Sequence, residues 1–217
     1  MNLKKIKCIV VDFDETLYSN AYWENELKGF GEFLVDKNLL PEIDGWEEKL
    51  KYLHKKYPTY HLIQFIFAFL HENGIDDSEF RKFRDNNVYE IRGADTVFIN
   101  PKIISEVTKY YPVYIASDSS VAHIEFYLNH AGIDKSLFSG IYDNPYNDEG
   151  FTKIPMMKRV LKETGLKPDE IIMIGDNENA DIKTAKLMGF QSKLVKSVFD
   201  TEKVLQEFVN LKSSKKI

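Results

Sequence analysis

The strongest constraint on this chain is a set of short apolar runs spaced along it, three of which stop abruptly at polar residues. The first, Ile6 to Val11, is apolar on successive residues apart from Lys7, as a strand buried on both faces of a parallel sheet must be. Four more follow: Val113 to Ala116, Ser139 to Tyr142, Ile171 to Ile174 and Lys193 to Lys196. Segments with helical periodicity separate them, at Pro101 to Tyr110, Val121 to Ala131, Pro155 to Thr164 and Asp181 to Met188. Gly132, Gly165 and Gly189 follow the last three helices, where a left-handed C-terminal cap is expected. Strand alternating with helix requires right-handed crossovers, so the pattern predicts an α/β fold: a Rossmann-like, doubly wound parallel sheet with helices on both faces.

Residues 21–91 interrupt this alternation. They hold no convincing strand, are dense in aromatic residues, and carry four helical patterns: Trp23 to Lys37, Trp46 to Lys56, Tyr60 to Glu72 and Ser78 to Glu90. Pro41, Pro58 and Gly74 punctuate them. The expectation is a helical insertion at 21–91 between the first strand and the rest of a core made of 1–20 and 92–217, with Phe65, Phe67 and Phe69 in its interior. Gly29-Phe30-Gly31 lacks both a third glycine and a preceding strand, so it is not a dinucleotide fingerprint.

Bulk chemistry excludes several function classes. With 43% hydrophobic and 29% charged residues the chain is globular, and its formal charge of −5 argues against general affinity for nucleic acid. The most hydrophobic stretch, His61 to Leu70, is about half a bilayer span. Cys8 is the only cysteine and sits inside the first apolar run, which makes it a buried small hydrophobe and fits a reducing compartment. The N-terminal apolar run is short and leads straight into Asp12, unlike a secretory signal. A cytoplasmic protein without membrane or nucleic-acid partners is expected.

The chemistry lies where the apolar runs end. The first run gives way to Asp12-Phe13-Asp14-Glu15-Thr16-Leu17, whose two aspartates point the same way because side chains alternate along a strand. The run at Val113 ends in Ser117-Asp118-Ser119, and the run at Ile171 ends in Gly175-Asp176, with Asp181 five residues on. Lys153 stands at the start of a helix between them. In a parallel sheet these ends open on one edge, where ligands bind. Asp12, Asp14, Ser117, Lys153, Asp176 and Asp181 are therefore expected in one crevice. Four carboxylates there repel one another and call for a hard divalent cation; Mg²⁺ suits a site where a substrate phosphate completes the octahedron. An anionic nucleophile, a second carboxylate for proton transfer and cationic clamps describe phosphoryl transfer through a covalent intermediate.

These motifs in this order, Asp12-x-Asp14-x-Thr16-Leu17, Ser117 after a strand, Lys153, and Gly175-Asp176-x-x-x-x-Asp181, resemble the four motifs of haloacid dehalogenase-like hydrolases. The resemblance covers the first strand and roughly Tyr111 to Val198, and the insertion takes the place of the helical cap domain in the capped, type I branch. It implies that Asp12 is the nucleophile and that Asp14 protonates the leaving alcohol and then activates water. It implies Mg²⁺ bound by Asp12, the backbone carbonyl of Asp14 and Asp176, with Asp181 in support. Thr16, Ser117 and Lys153 would bind the substrate's phosphoryl group. Dehalogenases of the family lack the second aspartate, so Asp14 implies a phosphatase.

Two departures and several lesser candidates stand beside this set. Asp118 occupies a position where similar phosphatases often carry asparagine; it turns away, contacts the cap domain or, as the expected role, caps the following helix. The lysine motif reads Lys153-Ile154-Pro155 rather than Lys-Pro-x-Pro, with Lys158 the alternative. Asn177 and Glu178 either reach the metal through water or shape their loop. Tyr18, Tyr22 and Trp23 either contact the leaving group or pack a hinge, and Arg92 either meets an anionic substrate or stays solvated. The histidines show no metal-ligand clustering, His54 and His61 included. The expected function is a Mg²⁺-dependent phosphatase acting on a small phosphorylated metabolite, of the sugar phosphate or nucleotide monophosphate class, as a monomer or homodimer. A phosphomutase or phosphotransferase using the same aspartyl phosphate is the alternative, followed by a non-catalytic binding protein of the same fold.

Overall fold

The computed structural model describes residues 3–19, 22–39, 45–56, 62–86, 97–143 and 153–213. Arg92 and His61 lie outside the described residues, as do the side chains of Tyr22, Trp23 and His54. The chain divides into two compact units, Met1–Asn20 with Thr96–Ile217, and Ala21–Asp95.

The first unit is built on a parallel sheet of β1 (Cys8–Val11), β4 (Val113–Ser117), β5 (Gly140–Asp143), β6 (Ile171–Gly175) and β7 (Gln191–Leu194), in the order β5-β4-β1-β6-β7. The most apolar strands are central: β1, β4 and β6 are buried at every position, whereas the edge strands β5 and β7 are not. Alternation assigns their faces. Cys8 and Val10 join Met173 and Ala116 in a cluster with Met156, Met157 and Val160 of α7 (Ile154–Thr164). Ile9 and Val11, equally buried, face the other layer. The connection from β1 leads to β4 on one side, and the later β6 lies on the other, which makes the carboxyl end of β1 the switch point of the sheet.

Local signals account for the helices of this unit. α5 (Pro101–Thr108) starts with Asn100 accepting the Lys102 N–H and with proline in the first turn. α6 (Val121–His130) is capped by Ser120, and Gly132, Gly165 and Gly189 all have the expected left-handed backbone.

Two elements go beyond the sequence expectations. A two-stranded antiparallel ribbon pairs β2 (Tyr18–Ser19) with β3 (Val97–Phe98), just before and just after the insertion; two-residue strands are too short to show periodicity. The chain also ends in α9 (Val198–Ser213), which buries Val198, Thr201, Val204, Leu205, Phe208 and Val209 and packs on α5. Two boundaries are corrected. The last strand is Gln191–Leu194 rather than Lys193 to Lys196, because the ladder to β6 begins immediately after Phe190. The helix expected from Asp181 begins earlier, as a π-turn at Glu178–Lys183 continued by α8 (Thr184–Leu187).

The second unit contains α1 (Tyr22–Asp36), α2 (Trp46–Lys56), α3 (Leu62–Glu72) and α4 (Asp77–Asn86). Phe65, Phe67 and Phe69 are buried with Phe30, Phe33 and Phe80. The rings meet edge to face: Phe30 lies 5.2 Å from Phe80, 5.9 Å from Phe69 and 5.2 Å from Trp46. Among the described residues no helix is long and apolar enough to cross a membrane.

Candidate active site

The carboxyl ends of β1, β4 and β6 deliver the polar residues. Asp12 directly follows β1, its N–H bonded to the Ile174 carbonyl of β6 at 2.9 Å. The chain then reverses in a tight turn in which the Phe13 carbonyl accepts from Thr16 N at 3.2 Å and Leu17 N at 2.8 Å. The turn places Glu15 in the left-handed region at φ 55, a conformation costing a non-glycine residue roughly 1 kcal/mol. Ser19 Oγ donates to Glu15 Oε2 at 2.7 Å and holds it there. Thr16 is fully buried in this turn.

Asp12, Lys153 and Asp181 form one buried ionic group. Lys153 Nζ lies 2.5 Å from Asp12 Oδ1 and 2.5 Å from Asp181 Oδ1, with its side chain only 2% exposed. Lys153 occupies the N-cap position of α7 but makes no capping bond, because its side chain runs into the site instead. Lys158, the alternative, is exposed on the same helix. Burial alone would drive the Lys153 pKa down; the carboxylates of Asp12 and Asp181, then Asp118, reverse this and raise it above the ordinary lysine value. The ammonium is thus a permanent charge.

One ammonium does not balance the acids. Asp12, Asp176 and Asp181 bring carboxylate oxygens within 4.8 Å of one another. Burial, and next the charge of Asp181, pushes the Asp12 carboxyl well above the ordinary range despite Lys153. The same two causes push Asp176 up to about 7. Such shifts mark carboxylates crowded for want of a counter-charge, and an all-oxygen donor set fits a hard divalent cation such as Mg²⁺.

Gly175 explains how the cluster is assembled. A Cβ there would lie 2.2 Å from Asp181 Oδ2, so the carboxylate occupies the space that any side chain would fill. Asp181 Oδ2 also accepts the Asn177 N–H at 2.9 Å, while Asn177 Oδ1 accepts from the N–H groups of Asn179 and Ala180, both at 2.9 Å. Asn177 therefore shapes the loop, and Glu178 turns toward Lys186, 3.7 Å away.

Asp14 belongs to a second group. Its Oδ2 accepts from Ser119 Oγ at 2.7 Å and Ser117 Oγ at 3.2 Å, and Ser117 Oγ in turn accepts the Ser119 N–H at 3.1 Å. Its Oδ1 faces His123 Nε2 at 3.7 Å. Ser119 and His123 were not legible as site residues: the strand-end argument reaches Ser117, and both lie beyond it. Asp118 does not cap α6. Ser120 does, accepting the His123 N–H at 3.2 Å, because α6 begins at Val121, as its periodicity predicts, and Ser120 is the residue that precedes it. Tyr18 packs rather than facing solvent, with its ring 4.5 Å from Tyr127 and 4.9 Å from Phe13.

A family model described as haloacid dehalogenase-like hydrolase matches residues 6–189. The chain belongs to that family. Enolase-phosphatase E1 of Aquifex aeolicus is 35% identical over 92 residues, which is 42% of this chain and 39% of that protein. The chain thus matches about two-fifths of the length of this curated relative. A haloacid dehalogenase-like family protein from Streptococcus pneumoniae superposes with a TM-score of 0.61 at 17% identity, covering 94% of this chain and 91% of its own. CbbY from Rhodobacter sphaeroides, solved with phosphate, gives a TM-score of 0.61 at 17% identity over 86% of this chain and 84% of its own. At these identities the structural likeness speaks for the fold, and the α/β core is that of the haloacid dehalogenase-like hydrolases.

Proposed function

We propose that this hydrolase is a Mg²⁺-dependent phosphatase that cleaves a small phosphomonoester, of the sugar phosphate or nucleotide monophosphate class, through an aspartyl phosphate on Asp12. The observation that carries the reading is the division of labour between two neighbouring aspartates. Asp12 is paired with the Lys153 ammonium within a carboxylate cluster suited to a cation, whereas Asp14 is held by hydroxyls. One environment suits a nucleophile attacking phosphorus, and the other fixes the orientation of a carboxyl that passes a proton.

Asp12 attacks the phosphorus; the bond from phosphorus to the ester oxygen breaks, and Asp14 gives its proton to that oxygen as the alcohol leaves. Asp14, now ionised, takes a proton from water whose oxygen attacks the phosphorus, the bond to Asp12 breaks, and inorganic phosphate is released. Lys153 and Ser117 steady the phosphoryl oxygens, and Thr16, in the turn that follows Asp14, is the third residue assigned to the substrate. Asp12, the backbone carbonyl of Asp14, and Asp176 would hold Mg²⁺, with Asp181 in support. The cation would supply charge stabilisation for the transferring group.

The 35%-identical stretch shared with a protein named for phosphatase activity supports this reading. So does Asp14 itself, since a reaction that expels halide has no oxygen to protonate. We assign core chemistry to residues 1–20 and 92–217 and substrate selection to a cap domain at 21–91; the compact unit Ala21–Asp95 supports that division. The buried Cys8 fits a cytoplasmic setting. The test is phosphate release from para-nitrophenyl phosphate and a panel of phosphomonoesters. Release that stops with chelator, returns with Mg²⁺ and matches the alcohol formed supports hydrolysis. Absence of release across the panel overturns it, and phosphate passing to a second hydroxyl indicates a phosphotransferase.

A further inference from the structure

Asp14 is gripped from two sides. On one, Ser117 and Ser119 donate to Oδ2. On the other, His123 Nε2 faces Oδ1 at 3.7 Å and also lies 3.2 Å from the Tyr18 hydroxyl. His123 is 5% exposed, and its ring is fixed by packing: Tyr127 lies 4.7 Å away, and Phe13 stands edge-on at 6.4 Å. Its backbone N–H is anchored by the cap of α6. None of these partners belongs to the Asp12–Lys153–Asp181 group, so this histidine approaches the proton-carrying aspartate from outside the chemistry already described.

We infer that His123 is a positioning residue for Asp14, itself oriented by the Tyr18 hydroxyl. With two serine hydroxyls donating to Oδ2, the transferable proton belongs on Oδ1, the oxygen that His123 faces. A buried imidazole clamped by the rings of Tyr127, Phe13 and Tyr18 and by a helix cap limits the rotation of the carboxyl about its own bond. At 3.7 Å the contact is longer than a hydrogen bond, as catalytic contacts often are before substrate binds. A misplaced acid loses rate steeply, by up to about a hundredfold for a displacement of about 1 Å. Tyr18 ties this device to the turn after β1: its own N–H shares the Phe13 carbonyl with Leu17, so the turn that aims Asp14 also places the hydroxyl that aims His123.

The inference rests on the phosphatase reading, and leaving-group chemistry separates the two. Phenyl phosphate and para-nitrophenyl phosphate are similar in shape, but only phenolate needs a proton to leave well. The ratio kcat/KM reports steps up to release of the phenol and is blind to the later attack of water. His123→Ala is expected to lower kcat/KM for phenyl phosphate by about tenfold or more, and for para-nitrophenyl phosphate by less than about threefold. His123→Gln, which returns an amide near the position of Nε2, is expected to recover part of the loss. Tyr18→Phe keeps the ring and removes the hydroxyl, so it carries the same test where the histidine variants fail to fold; a smaller shift in the same direction is expected. Equal losses on both esters, or no loss on either, would overturn the positioning role while leaving the phosphatase reading intact. A wild-type protein that cleaves neither these esters nor any member of the phosphomonoester panel removes both.

Discussion

The two compact units bury different chemistry. In the α/β unit, charged and polar side chains lie inside: Asp12, Asp14, Ser117, Ser119, His123, Lys153 and Asp181 are all buried. In the helical unit the interior is aromatic, and among its described residues Asp77 is the buried charge, at the start of α4 and 3.2 Å from His71. A core built from rings tolerates exchange of one apolar shape for another, so its sequence reports packing and little else. Buried charges are costly and persist only where partners and backbone hold them, so each one points to a purpose. The same contrast explains why the α/β unit speaks for the reaction and the helical unit leaves the substrate unnamed.

The contrast breaks most visibly at Asp12. Asp12→Asn is expected to lower kcat by at least about 10⁴-fold, since it removes the proposed nucleophile. The metal-free variant should melt no lower than wild type, because the change removes a carboxylate that its surroundings disfavour in ionised form. A large fall in melting temperature would mean that this aspartate is structural after all.

Phe80→Ala is the mirror experiment. Phe80 is fully buried against Phe30, Phe33 and Phe67, and its truncation is expected to cost about 3–5 kcal/mol of stability by denaturant titration. If the loss is under about 1 kcal/mol, the aromatic interior is not what holds this unit together.

Gly175→Ala sharpens the comparison within the site. The added methyl group must displace Asp181, and through it Lys153, so a loss of about 10–100-fold in apparent Mg²⁺ affinity is expected by titration of activity. Unchanged metal dependence would show that the Asp181 position is not needed.

The smallest effect is on pH dependence. Asp176 has its pKa raised from 3.8 to about 7, and Asp12 shifts in the same direction, so the folded protein binds protons that the unfolded chain has released. Stability from these groups is complete below about pH 4 and is lost as pH rises through about 7. Lys153, raised above the ordinary 10.5, stays charged throughout this window and contributes no slope there. Metal-free protein is therefore expected to melt progressively lower from pH 5 to pH 8, by a few degrees, and the stabilisation from added Mg²⁺ should grow over the same interval. A flat or rising profile without metal would contradict the crowded-carboxylate account.

Much of the α/β unit was legible because its signals are local. Continuous apolar runs marked β1, β4 and β6, and the polar residues at their ends marked Asp12, Ser117 and Asp176. The apolar spacing of α9 was also present in the sequence, although only packing on α5 shows it as part of the core. Ser119 and His123 were hidden for another reason. Neither sits at a strand end, and each becomes a neighbour of Asp14 only because β1 and β4 pair side by side and bring the segments that follow them together. Asp118 misled because position alone suggested a cap, whereas cap identity depends on where the chain enters helical geometry.

By itself the sequence determined the alternation of strand and helix, the aromatic insertion, and which residue types meet at the carboxyl edge of the sheet. Periodicity and chain order decide those things, and both can be read along a line. Tertiary structure decided which oxygen faces which partner: that Lys153 bridges Asp12 and Asp181, that Gly175 must lack a side chain, and that Asp14 turns to two serines and a histidine. Those contacts join residues far apart in the chain at distances of a few ångströms, and no local pattern specifies a distance.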